Sequence, residues 1–265
     1  MQKEPRARIA DKEQWGAYFL LSLESRAIAS RAHPGQFLMV RVTEQNFPLL
    51  RRPFSIHARG RNTVDVFFQT TGLGTSLLSR KAVDETLDIL GPLGQGFSLE
   101  DEFKSKHVDL IGGGRGIAPL YFLAQELLRR GAAVRVFYGG QSRKDLPLRS
   151  KFQEGNFPVL CATDDGSYGF QGLVTELYTT EAAKKTPHFI FACGPEAMLE
   201  RIGQICRTKD IPAEFSLESI MGCGFGACWG CVKKIRSEGG KEWQKICEKG
   251  PVFYAGDIVW PSEDR

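Results

Sequence analysis

The segment His107-Val-Asp-Leu-Ile-Gly-Gly-Gly-Arg-Gly-Ile-Ala-Pro-Leu120 runs from a short apolar strand through a glycine turn into an apolar helix. Gly114 to Pro119 spells G-x-G-x-x-P, a relative of the G-x-G-x-x-G turn that brings backbone amides and a helix N-terminus to a pyrophosphate. Pro119 suits a first helical turn, where its missing N–H costs nothing. Alone, the motif also fits an ordinary strand–helix turn. The residues after Leu120 decide between the two. The helix predicted over Ala118 to Arg130 stops at Gly131, and strands are predicted at Ala133 to Gly139, Val159 to Thr163 and His188 to Ala192. Helical patterns fall between them at Leu173 to Ala183 and Pro195 to Lys209. Strand–helix alternation of this kind specifies an open, mostly parallel α/β sheet. Cys193-Gly-Pro-Glu-Ala-Met198 leaves the carboxyl end of the last strand, the side on which such sheets bind ligands.

Upstream the pattern differs. Trp15 to Leu23, Gly35 to Val42 and Thr63 to Gln69 are short strand candidates separated by turn residues, with one helical turn near Thr75 to Arg80. This predicts a small antiparallel β-barrel. Arg51-Arg-Pro-Phe-Ser55 ends a strand here with a guanidinium and a hydroxyl, and Gly72-Leu-Gly-Thr-Ser76 opens the helical turn, where amides can meet a phosphate. In isolation each is equally an ordinary surface turn. Gly91 to Phe97 is a glycine-rich loop that closes this part of the chain.

Downstream, Cys223-Gly-Phe-Gly-Ala-Cys228-Trp-Gly-Cys231, followed by Cys247, is C-x4-C-x2-C-x15-C, the plant-type spacing of a [2Fe–2S] cluster. Glycines beside the cysteines let backbone N–H groups approach the sulfurs, whose charge needs donors. Ser237-Glu-Gly-Gly240 can close a hairpin that returns Cys247 to the other three. Four thiolates also suit structural zinc, although zinc ribbons usually pair two short C-x2-C knuckles. Cys161, Cys193 and Cys206 are spread along the α/β part as core thiols.

The 265 residues, 42% hydrophobic and 25% charged, are those of an ordinary globular chain, which excludes disordered, collagen-like and coiled-coil classes. A net charge of +4 is too small and too scattered to indicate nucleic acid or a membrane as partner. Met1 to Gln14 has no apolar signal core, no run approaches a membrane span, and four of the seven cysteines crowd into one segment. A cytoplasmic location is therefore expected. His33, His57, His107 and His188 have neither ligand nor triad spacing and are assigned to structure. The domains expected are 1–103, the β-barrel; 104–210, the α/β nucleotide domain; and 211–265, the cysteine-rich domain.

Taken together, Arg51 to Ile56, Gly72 to Leu78, Leu90 to Phe97, Ile111 to Leu120, Ala162 to Ser167, Phe191 to Met198 and Glu218 to Val232 with Cys247 resemble the ferredoxin–NADP reductase superfamily. Their order over nearly the whole chain is most similar to the electron-transfer subunits of class 1B dihydroorotate dehydrogenases. The resemblance implies FAD on the barrel, held by Arg52, Pro53, Phe54 and Ser55, by Phe68, Gln69 and Thr70, and by Gly74 and Thr75. It implies NAD(H) at Gly112, Gly113, Gly114, Arg115 and Gly116 and at Cys193, Gly194, Pro195 and Met198, with Cys193 positioning the nicotinamide rather than attacking it. Cys223, Cys228, Cys231 and Cys247 would hold the [2Fe–2S] cluster. Arg115 is a departure from the family's small or apolar residue. Ser142, Arg143 and Lys144 stand where an acid would favour NADH, which leaves NADP(H) open.

The resemblance further implies an FMN-containing dihydroorotate dehydrogenase catalytic subunit as partner, docked near the cluster loop in a heterotetramer of two copies each. Electrons would pass between it and NAD⁺ through the cluster and FAD, in pyrimidine biosynthesis. Alternatives are the small subunit of an NAD(P)H–ferredoxin reductase, sulfide dehydrogenase or hydrogenase complex, a stand-alone flavin reductase, and a non-enzymatic module stabilised by zinc.

Overall fold

The computed structural model describes residues 1–99, 103–182 and 184–263. Among these, six strands close a barrel: β1 (Gln2–Trp15), β2 (Tyr18–Glu24), β3 (Phe37–Arg41), β4 (Arg52–Arg59), β5 (Thr63–Gln69) and β6 (Thr86–Leu93), in the order β1-β2-β5-β4-β3-β6. A short helix α1 (Arg26–Ala29) and α2 (Leu73–Ser79) sit on its connections. Alternation fills the inside: Leu38 and Val40 of β3, Phe54 and Ile56 of β4, and Val64, Val66 and Phe68 of β5 share one apolar cluster. The charged N-terminus forms a long strand, β1, that the sequence pattern does not suggest, because only Ala7 and Ile9 of it are fully buried. Arg52 opens β4 rather than ending a strand.

The rest of the chain builds one sheet. β7 (His107–Gly113), β8 (Ala133–Gly140), β9 (Val159–Thr163), the short β10 (Phe170–Gln171), β11 (Phe189–Cys193) and β12 (Ala213–Ser216) are parallel, in the order β10-β9-β8-β7-β11-β12. The intervening helices are α3 (Ala118–Arg129), α4 (Arg149–Glu154), α5 (Val174–Ala182) and α6 (Glu196–Lys209). Ala183, the expected end of α5, lies outside the described residues. A hairpin of β13 (Val232–Ser237) and β14 (Gly240–Lys245) and the one-turn α7 (Ile246–Lys249) come next, and β15 (Val252–Tyr254) returns antiparallel to β12 at the sheet edge. The boundary expected at 210/211 therefore falls inside this sheet. Cys231, Cys247 and Ile246 share an apolar core with Phe215, Ile202 and Trp260, so no structural break separates the two parts there.

The barrel and sheet meet along α3. Glu126 of that helix accepts from Arg59 of the barrel as well as from Arg130. His57 lies where the β4–β5 register shifts, with its Nδ1–H donating to the Ala118 carbonyl at 2.8 Å and its ring stacked on Tyr121 at 4.9 Å. Its Nε2 is buried without a partner. Burial drives the imidazole down to about 4, with the Ala118 carbonyl opposing. The unfolded chain binds this proton near pH 6.5 and the folded chain only near 4, so acid favours unfolding across that interval. Up to about 3 kcal/mol is lost between pH 6.5 and 4. Denaturant unfolding of His57→Phe should lack this component while the parent chain shows it; identical pH dependence in the two would refute the assignment.

Candidate functional site

Chain direction along the sheet reverses at β7, with β8 and β9 on one side and β11 and β12 on the other. The crevice at such a switch point is where open α/β sheets take ligands. Here it is a cleft of about 870 Å³, walled by the loops after β7, β8, β9 and β11 and, from the barrel, by Tyr18 and Gln69. Gly113, Gly114, Arg115 and Gly116 line it together with Gly194, Pro195 and Met198. The two loops pack too closely for side chains. A Cβ on Gly116 would lie 2.6 Å from the Gly194 Cα and nearer still to the Cys193 carbonyl; one on Gly113 would lie 2.7 Å from Met198 Sδ. Gly112 is packed likewise, under Ile117. Gly114 meets no such crowding, but its φ of +54° is one that side chains resist. Such a bare backbone cradle, opening into the helix that starts at Ala118, suits a pyrophosphate.

On the barrel, Arg52 lies across Gly74 at the start of α2: a Cβ there would fall 2.6 Å from the Arg52 Nε. The Thr75 hydroxyl accepts from the Thr71 and Gly72 amides at 2.9 and 3.1 Å, which fixes the turn. Next to it, the buried Thr70 hydroxyl has no partner, an orphan that a bound group would satisfy. Arg52, Pro53 and Ser55 are half-buried; Pro53 and Ser55 take the outward face of the strand, while Phe54 and Phe68 point inward and pack on one another at 5.5 Å. Both phenylalanine side chains belong to the barrel's apolar cluster.

The four cysteines converge as the spacing suggests. β13 and β14 pair from Val232↔Lys245 to Ser237↔Gly240, and the Ile246 amide donates to the Cys231 carbonyl at 2.9 Å, which sets Cys247 beside Cys231. The Gly226 N–H donates to Cys247 Sγ at 3.2 Å and the Cys228 N–H to Cys223 Sγ at 3.4 Å. Lys245 ties the loop down through the Gly226 carbonyl at 2.8 Å. Burial works against ionisation of Cys223, but amides of Cys228, Phe225 and Ala227 and the Cys228 thiol outweigh it and bring the thiol down to about 6. Cys247 is held above its ordinary value by burial and by the neighbouring Cys231. The thiols therefore stand as two pairs, 223 with 228 and 231 with 247. Amides aimed at sulfur suit the negative charge of a binuclear cluster held by four thiolates.

Some expected site residues are placed elsewhere. The Cys193 thiol is buried under the loops and does not line the cleft; burial holds it neutral, far above the usual thiol range. Ser142, Arg143 and Lys144 also stay out of the cleft, whose wall there is made by Gln141, Asp145 and Asp164. Asp145 accepts from Tyr18 OH at 2.7 Å, joining the barrel to the nucleotide side. Glu218, just beyond β12, faces the cleft as well. Its walls push the carboxyl up, while Arg115 opposes them. Position after a parallel strand was the available signal for Glu218, in a segment otherwise dominated by cysteines.

Two family models match: "Iron-sulfur cluster binding domain of dihydroorotate dehydrogenase B" over residues 218–259, and "Oxidoreductase NAD-binding domain" over 110–204. The dihydroorotate dehydrogenase B (NAD(+)) electron transfer subunit of Desulforamulus reducens is 38% identical over 244 residues, 91% of this chain and 92% of its own. The chain belongs to this family. The corresponding subunit of Bacillus mycoides aligns at 36% identity over 98% of this chain and 99% of its own. Among solved structures, that of an NADH-dependent reduced ferredoxin–NADP oxidoreductase superposes with a TM-score of 0.84 at 25% identity, covering 98% of this chain and 91% of that one. A Neisseria gonorrhoeae ferredoxin NADP⁺ reductase with bound FAD and NADP shares the fold, with a TM-score of 0.66 at 19% identity over 78% and 92%. The family's nucleotide segment begins at Leu110, so it takes in the glycine cradle at the end of β7.

Gly116→Ala tests the cradle. Overpacking against the Cys193–Gly194 backbone should cost about 1–3 kcal/mol of stability. It should also raise KM for NADH by about tenfold, the equivalent of about 1.4 kcal/mol. FAD retention should not change, and an unaltered KM would count against a pyrophosphate seat at this loop.

Proposed function

We propose that this chain is the electron-transfer subunit linking NAD(H) to an FMN-containing dihydroorotate dehydrogenase catalytic subunit, in the cytoplasm and in an assembly with two copies of each. The observation that carries the proposal is the gathering of Cys223, Cys228, Cys231 and Cys247 by one loop and hairpin, with the Gly226 and Cys228 amides donating to sulfur, beside a barrel and a nucleotide cleft. Cys223, Cys228, Cys231 and Cys247 hold the [2Fe–2S] cluster. Arg52, Ser55, Thr70, Gly74 and Thr75 hold FAD, with Pro53 and Gln69 at its edge. The loops at Gly112–Gly116 and Gly194–Met198 hold the dinucleotide. When bound, FAD exchanges a hydride with nicotinamide and single electrons with the cluster.

The protein's own groups do the placing. Arg52 supplies fixed positive charge where Gly74 leaves room for it. Tyr18 and Gln69 wall the cleft from the barrel side, so a dinucleotide on the loops has its reactive end directed at the barrel. Asp145 and Asp164 line the wall beyond β8 and β9 and repel a 2′-phosphate, which favours NADH. Ile220, Phe225, Trp229 and Trp243 expose 51–88% of their surface around the cysteine loop and hairpin, an apolar surface fit for a partner.

The ferredoxin–NADP oxidoreductase neighbour supports a second reading with the same cofactors and a different partner. Sequence identity is higher to the dihydroorotate dehydrogenase subunits, which favours the first.

Anaerobic purification of the chain alone, with flavin and iron analysis of the product, tests the proposal. NADH should reduce a dye without any dihydroorotate oxidation, and coupling of dihydroorotate to NAD⁺ should appear only with the FMN subunit. Cys228→Ser should lose iron and the coupled reaction yet keep dye reduction through FAD. Dihydroorotate turnover by the isolated chain, or a colourless protein containing zinc, would overturn the reading.

A further inference from the structure

β3 carries side chains on both faces. Leu38 and Val40 point into the barrel, whereas Phe37 and Met39 point outward into the apolar cluster that contains Cys231 and Cys247. Met39 is opposite Pro53 in the antiparallel pairing of β3 with β4, so the two stand side by side on the barrel's outer face. Pro53 belongs to the Arg52–Ser55 motif. On its other side Met39 meets the cysteine loop: a Cβ on Gly224 would lie 2.6 Å from Met39 Sδ and nearer still to its Cγ. Gly224 has φ +80° and is the residue after Cys223. The Met39 side chain is fully buried, and Arg51 reaches past its carbonyl, at 3.5 Å, to the neighbouring strand β6, donating to the Asp88 carbonyl at 2.7 Å and to the Asp88 carboxylate at 2.6 Å.

We infer that Met39 is a positioning residue for electron transfer: it is the wedge that fixes the cysteine loop at a set separation from the flavin-binding strand. The inference rests on the proposed cofactor sites. No Cβ intervenes at Gly224, so the thioether fills the gap in full. A flexible, polarisable side chain suits a seam between two elements that are not hydrogen-bonded as strands. A second seam, where the Gln95 amide donates to the Gly250 carbonyl at 2.5 Å, holds the chain just after Cys247. Met39 holds the other part of the module, the loop after Cys223. With both groups bound, the two-electron-reduced flavin would give its electrons to the cluster one at a time; the part of Met39 would be to hold Gly224 against the strand that carries Pro53.

The test uses the full chain, loaded with FAD and iron, as Met39→Ala, Met39→Val and Met39→Leu. Two quantities are monitored after anaerobic mixing with NADH: the rate of flavin reduction and the rate at which the cluster signal appears. Hydrogen exchange of the Gly222–Gly226 amides is read separately. Met39→Ala and Met39→Val should slow cluster reduction by about tenfold, as expected for loss of fixed geometry, with flavin reduction changed by less than about twofold. Loop amides should exchange about tenfold faster, and Met39→Leu should restore both. Met39→Val suits a strand and stands in where Met39→Ala fails to fold. Unchanged cluster reduction or unchanged loop exchange in the truncated variants would overturn the inference alone. A parent chain without iron would overturn the cofactor reading and this inference with it.

Discussion

The carboxyl ends of β7 and β11 lie side by side, and the loops leaving them have no room for a Cβ at Gly113, Gly116 or Gly194. That contact sets where the crevice opens, because main chain rather than side chain forms its floor. It also commits α3 to start at Ala118, which places that helix against β4 and ties the nucleotide half to the barrel through His57 and Glu126. Tyr18 and Gln69 of the barrel are thereby carried to the crevice mouth, where Tyr18 meets Asp145. A side chain inserted between the loops would displace more than a ligand; it would alter the angle at which the two halves join.

Charge governs the cysteine loop in a comparable way. Four thiols held close in apolar surroundings cannot all ionise unaided, and the amides turned toward Cys223 and Cys247 supply part of the compensation. Lys245, paired with Glu248 and stacked over Trp229, fixes the loop that presents those amides. The hairpin is thus an instrument of electrostatics as well as of connectivity.

Most of this architecture was legible in local patterns. The strand–turn–helix unit at His107 to Leu120, the alternation after it and the cysteine spacing are each short-range, and the structure places them accordingly. The less legible parts depend on distant neighbours. β1 is a strand because β2 and β6 offer edges to it, not because of its own apolar content. The break expected after residue 210 is erased by β15, whose pairing with β12 has no local signature. Cys193 lies at the right end of the right strand, yet its thiol faces the core, since the terminal pairing with Gly112 and Ser216 decides which way it turns. Phe54 and Phe68 stand in the barrel segments singled out from the sequence, and strand alternation sends their rings inward. Glu218 opens the matched cysteine segment, but its place on the cleft depends on where β12 ends in the sheet, which the local pattern does not show.

The late return of Val252–Tyr254 to the sheet also bears on biosynthesis. During translation Ala213–Ser216 emerges well before the strand that caps it, leaving an entirely buried-type strand with a raw edge. Trp260, which packs near Phe215 and Gly203, arrives later still. Until Val252–Tyr254 and Trp260 arrive, the nascent sheet has an open edge, so that segment acts as its closing stitch.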